Sequence, residues 1–92
     1  MTQLKRYWLR FSISPGDLDR YPTYAALGLG CGATAYSRED LAMLLDRELF
    51  HGDPVPEIEE LVEDVNIQEL DQGRVIPNMG SPRERGVWFP RR

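Results

Sequence analysis

The sequence predicts a small α+β domain, a mostly antiparallel sheet of three to four strands with one helix packed on one face. Three observations predict it. Residues 4–13 alternate with period two, with Tyr7, Leu9, Phe11 and Ile13 on one side and Trp8, Arg10 and Ser12 on the other. That is the pattern of a half-buried strand. Residues 38–51 place Leu41, Leu44, Leu45 and Leu49 at helical spacing, one apolar stripe. The elements follow in the order β-β-α-β-β, so the helix is expected to lie on one face of the sheet. The chain has 92 residues, enough for one domain over 1–92, with a loop-rich segment from about 71 to 92.

In chain order, the first strand ends at Ser14-Pro15-Gly16-Asp17, which reads as a turn. Residues 17–27 read as an irregular or weakly helical connection. A second strand of small side chains is expected at about 30–36, where glycine signals a bulge or a close backbone approach. Ser37 is a good helix N-cap, with Asp40 three residues on as a variant of the capping box. Gly52 then marks the helix stop, with Pro54 beyond it. Residues 57–67 admit two readings. Ile58, Leu61, Val62 and Val65 would share a helical face, and Leu61, Val65 and Ile67 a strand face. Pro56 and the branched residues favour a third strand at about 59–66. Val75-Ile76 and Val87-Trp88-Phe89 read as short edge strands.

Composition narrows the function classes. Apolar residues make up 41% and charged residues 28%, a globular balance. The single cysteine, Cys31, cannot staple the fold, which points to a reducing cytosol. No apolar run reaches the ~20 residues of a membrane helix, and no hydrophobic signal region precedes the first strand. A soluble, cytoplasmic protein without membrane association is therefore expected. The net charge of −4 conceals segregation: 1–38 carries +3, 39–71 carries −11 and 72–92 carries +4.

Cys31-Gly32-Ala33-Thr34-Ala35-Tyr36-Ser37 running into a helix resembles a group of small bacterial proteins. So does the tail Pro77-Asn78-Met79-Gly80 followed by Arg85-Gly86-Val87-Trp88-Phe89-Pro90. The resemblance implies a stable bacterial domain and carries no activity and no site residues.

Each chemical motif has a structural alternative. Cys31 would need a base or cation to lower its pKa, and His51 falls at the far end of the helix. A small buried side chain is the simpler role, so no catalytic residue is assigned. Gly28, Gly30 and Gly32 do not lead directly into a helix and lack the lysine of a P-loop. The acidic run Glu57, Glu59, Glu60, Glu63 and Asp64 lacks the alternating oxygen ligands and glycine turn of a calcium loop. One histidine and one cysteine do not make a zinc site. Neither a metal nor a cofactor is called for. Arg83, Arg85, Arg91 and Arg92 beside Trp88 and Phe89 would suit single-stranded nucleic acid. Alternatively the aromatics pack on the sheet while the arginines pair with the acidic block, and the overall negative charge also opposes nucleic acid. The loop Asn78-Met79-Gly80-Ser81-Pro82 reads as a structured turn or a loop-borne site.

The leading expectation is a non-catalytic protein-binding module, inhibitor- or immunity-like, steered by its acidic face. Its partner-binding candidates are Trp8, Glu59, Glu60, Glu63, Arg83, Arg85 and Trp88. Trp8 or Trp88 would be the anchor where exposed. The alternatives are nucleic-acid binding through the basic N- and C-terminal segments, if Arg6, Arg10, Arg83 and Arg85 form one patch, and an enzyme built on Cys31. A homodimer is compatible with all of them.

Overall fold

The computed structural model describes residues 3–90. It has a four-stranded antiparallel sheet with two α-helices and several short 3-10 and π segments, the α+β class expected. The strands are β1 (Lys5–Ser12), β2 (Cys31–Ala35), β3 (Glu57–Glu63) and β4 (Gly86–Phe89). Their order across the sheet is β3-β1-β2-β4, so β3 and β4 are the edges.

Between β1 and β2 lies helix α1 (Pro15–Arg20), where the sequence suggested a turn. Ser14 caps it by accepting from Asp17 N at 3.4 Å, and Pro15 opens it. Proline suits a first helical position because that N–H has no partner within the helix. A 3-10 segment, Pro22–Leu27, follows and sends Tyr24 and Leu27 into the core.

Helix α2 (Arg38–Leu45) begins at Ser37, whose Oγ accepts from Asp40 N at 3.1 Å. The reciprocal bond of the capping box is displaced by one residue: Asp40 Oδ2 accepts from Tyr36 N at 3.0 Å. The helix continues as a π turn over Asp46–Phe50, closed by His51 N donating to Asp46 O. The wider turn absorbs an extra residue. Leu49 and Phe50 are therefore both buried on the side that already holds Leu41, Leu44 and Leu45. The stop comes one residue before the expected Gly52, at His51 with φ 51°.

β3 runs from 57 to 63, not 59 to 66. Asp64 takes a left-handed conformation, φ 57°, and ends the strand. Val65 then turns under the sheet and donates its N–H to Arg6 O at 3.0 Å. The expected edge strand at Val75-Ile76 is absent. Asp71 satisfies that backbone locally: its carboxylate accepts from Gly73 N and Arg74 N, and its carbonyl from Val75 N and Ile76 N. Such side-chain bonds compete with a ladder.

The sheet is covered on both faces. Tyr7, Leu9 and Phe11 of β1 meet α2 and the π turn on one side. On the other, Trp8 packs with Val65, Val75, Trp88 and Phe89, so the C-terminal segment forms a third layer. β2 is buried at every position, which its small residues permit. At Gly32 an added Cβ would lie 2.2 Å from the Trp88 ring, so only glycine allows that approach. Trp88 Nε1 donates to Thr34 Oγ1 at 3.0 Å, and Thr34 Oγ1 donates to Pro82 O at 2.6 Å. This relay satisfies the buried indole and hydroxyl and ties the tail to the sheet.

Asp40 also joins the tail to the helix. Arg85 Nε donates to its Oδ2 at 2.9 Å, and Arg85 Nη2 binds Oδ1. The Arg85 guanidinium, and then the Tyr36 amide, hold the Asp40 carboxyl down at about 2, below its ordinary 3.8. A depressed folded-state pKa means that the pairing stabilises fully above ~pH 4 and fades as the pH falls toward ~2. Asp40→Asn is expected to lower the melting temperature by several degrees at neutral pH. The gap from wild type should close between pH 4 and pH 2 in parallel thermal melts, and a pH-independent gap would contradict this role.

Candidate functional site

The acidic block falls into two groups. Asp40, Glu48 and Glu63 are engaged within the chain. Glu63 pairs with Lys5 Nζ at 2.7 Å and Arg38 Nη2 at 3.5 Å. Glu48 accepts from Val87 N at 3.1 Å. Glu57, Glu59 and Glu60 stand exposed on β3, with no ion-pair partner among the described residues.

β3 carries them because β1–β3 pairing is bulged between Arg10 and Phe11. Glu60 lies opposite Arg10 and Glu57 opposite Ser12, on the face away from α2. Ile58 opposite Phe11 and Leu61 opposite Leu9 lie on the α2 face. Glu59 is the extra residue of the bulge. Beside Ile58 and Leu61 an apolar groove of about 420 Å³ runs along α2. Leu41, Ala42 and Leu45 of α2, with Val55 and Arg38, complete its lining. Val55 and Ile58 are each 43% exposed, large apolar side chains left at an open edge.

The two sheet edges differ. At β4, Gly80 N donates to Trp88 O at 2.7 Å and Val87 N to Glu48 Oε1, so the chain covers its own edge. Among the described residues, no such bond reaches the outer edge of β3.

The remaining candidates are placed as follows. Trp8 and Trp88 cannot anchor a partner: they are 8% and 2% exposed and stack on each other at 6.1 Å between ring centroids. An aromatic on the polar face of β1 is buried because the tail supplies a second apolar layer. Glu63 is held by Lys5 and Arg38, and Arg85 by Asp40, so neither is a free contact. Arg83 and Arg6 share a pocket of about 300 Å³ with Asp64, Thr34 and Pro82. Arg6 Nε also donates to Pro82 O at 3.4 Å. The tail and β1 are thus neighbours, as a basic patch requires. Burial of Trp88 and Phe89 removes the stacking platform expected for single-stranded nucleic acid, and Asp64 adds negative charge to the pocket. Arg91 and Arg92 lie outside the described residues.

Cys31 is fully buried, and burial pushes its thiol up to about 12, far from a nucleophilic thiolate at neutral pH. No three His, Cys, Asp or Glu side chains among the described residues are grouped to hold a metal ion. In the Asn78–Pro82 segment, Asn78 ends a 3-10 turn and donates Nδ2 to Arg74 O at 2.8 Å, and Gly80 N donates to Trp88 O at 2.7 Å. No helix among the described residues is long and apolar enough to cross a membrane.

Sequence reasoning placed Glu57 in the acidic run but not among the partner-binding candidates, and it missed Val55 and Ile58 as site residues and the groove. The signal present was Ile58 between glutamates just after Pro54-Val55-Pro56. Its meaning depends on β3 being an edge, which only the pairing reveals.

No protein-family model, curated protein or solved structure matches the chain.

Proposed function

We propose that this protein is a non-catalytic protein-binding module whose acidic β3 edge receives a basic partner. The observation that carries the reading is the placement of Glu57, Glu59 and Glu60. All three are exposed on an uncovered edge strand, beside exposed Val55 and Ile58. Apolar residues supply desolvation there, and the glutamates supply steering and selection for positive charge. The burial of Cys31 is the reason to set the thiol enzyme aside.

The test uses a short peptide of alternating lysine and valine, with blocked ends, at low ionic strength. Combined Glu59→Lys and Glu60→Lys is expected to weaken binding by about tenfold or more, with wild-type affinity falling as salt is added. Equal affinity for the two proteins would contradict the reading. Glu60→Lys sets a lysine opposite Arg10, so the variant should melt slightly lower than wild type and binding is compared where both proteins are folded.

A further inference from the structure

We infer that β3 binds its partner by strand addition, as an extended segment whose apolar side chains enter the α2 groove and whose basic side chains face Glu57 and Glu60. This rests on the protein-binding reading above and names the partner's chemistry. Three features lead to it. The outer edge of β3 has no neighbouring strand, and no backbone hydrogen bond reaches it among the described residues, whereas the β4 edge is closed by Gly80 and Glu48. Exposed edges are normally guarded by charge, proline, a bulge or a covering element, and β3 has its glutamates and the bulge at Glu59. N-terminal to Glu63 the α2 face of the edge is nevertheless apolar, formed by Ile58, Leu61 and the groove.

The geometry divides the partner's side chains by face. A strand added beside β3 would lie ~4.8 Å away with its side chains alternating between faces. One set would continue the Ile58–Leu61 row into the groove under Leu41, Ala42 and Leu45. The other would lie beside Glu57 and Glu60, with Glu59 at the bulge between them. An alternating apolar and basic segment satisfies both faces, and backbone bonds to β3 supply the rest. A second copy of this chain does not: β3 against β3 would set the glutamates of one copy against those of the other, and like charges across a ladder destabilise it.

The experiment compares labelled peptides about eight residues long, matched to the length of β3, by fluorescence anisotropy at low ionic strength. One alternates lysine and valine, and one alternates lysine and glycine with the same charge. Two lysine–valine peptides are N-methylated, each along a different edge. Strand addition predicts that lysine–valine binds at least about tenfold tighter than lysine–glycine. It predicts that one N-methylated isomer loses binding and the other keeps it. Ile58→Ser, and separately Val55→Ser, should weaken lysine–valine binding and leave lysine–glycine binding unchanged. Equal binding of the two unmethylated peptides, abolished by Glu59→Lys with Glu60→Lys, would overturn strand addition and leave the acidic-face reading standing. No binding by any peptide would overturn both.

Discussion

Trp88→Ala is expected to be the most damaging substitution in the tail layer. Trp88 is 2% exposed, stacks on Trp8 and donates its indole N–H to Thr34. Truncating a buried tryptophan costs about 3–5 kcal/mol, and a domain of this length has on the order of 5–14 kcal/mol in all. The melting temperature should fall by roughly 15–30 °C. Trp8 loses one ring partner and keeps Phe89 at 5.8 Å between centroids, so its fluorescence should shift partly to the red in the folded variant. A small change in stability with no shift of Trp8 fluorescence would mean that Trp88 does not pack on the sheet.

Gly32→Ala tests the same contact from the sheet side. The added methyl would meet the Trp88 ring at 2.2–2.7 Å, distances that no small adjustment relieves. Either β2 shifts or the indole leaves its site, at a cost of about 3 kcal/mol. The cost should vanish in the Trp88→Ala background, because the methyl then enters vacated space. Combining the two substitutions therefore yields a strongly non-additive double-mutant cycle. Simple additivity in chemical denaturation would show that Gly32 is required for another reason.

Much of the framework was legible in the sequence, and the misses have physical causes. Alternation placed β1, and Ser37 with the leucine stripe placed α2, because both signals are local. Helix α1 was legible in part: Ser14, Pro15 and Asp17 are an N-terminal cap, but a six-residue helix offers no periodicity to confirm it. Trp8 could not be assigned because its burial depends on Trp88 and Phe89, about eighty residues away. Glu63 and Arg85 carried the right charge for a surface site. Sequence could not show that Lys5, Arg38 and Asp40 already hold them. The end of β3 was missed because nothing in Val62-Glu63-Asp64-Val65 announces a left-handed aspartate. The candidate site itself combines local charge, which the sequence shows, with edge position and a groove, which arise from strand order.

The most direct measurement is an amide chemical-shift map of the isotope-labelled protein titrated with the lysine–valine peptide. The account predicts shifts concentrated on residues 57–63 and on Leu41, Ala42 and Leu45, with the closed β4 edge unmoved. Shifts centred on the Arg6 and Arg83 pocket or on β4, with β3 silent, would contradict it.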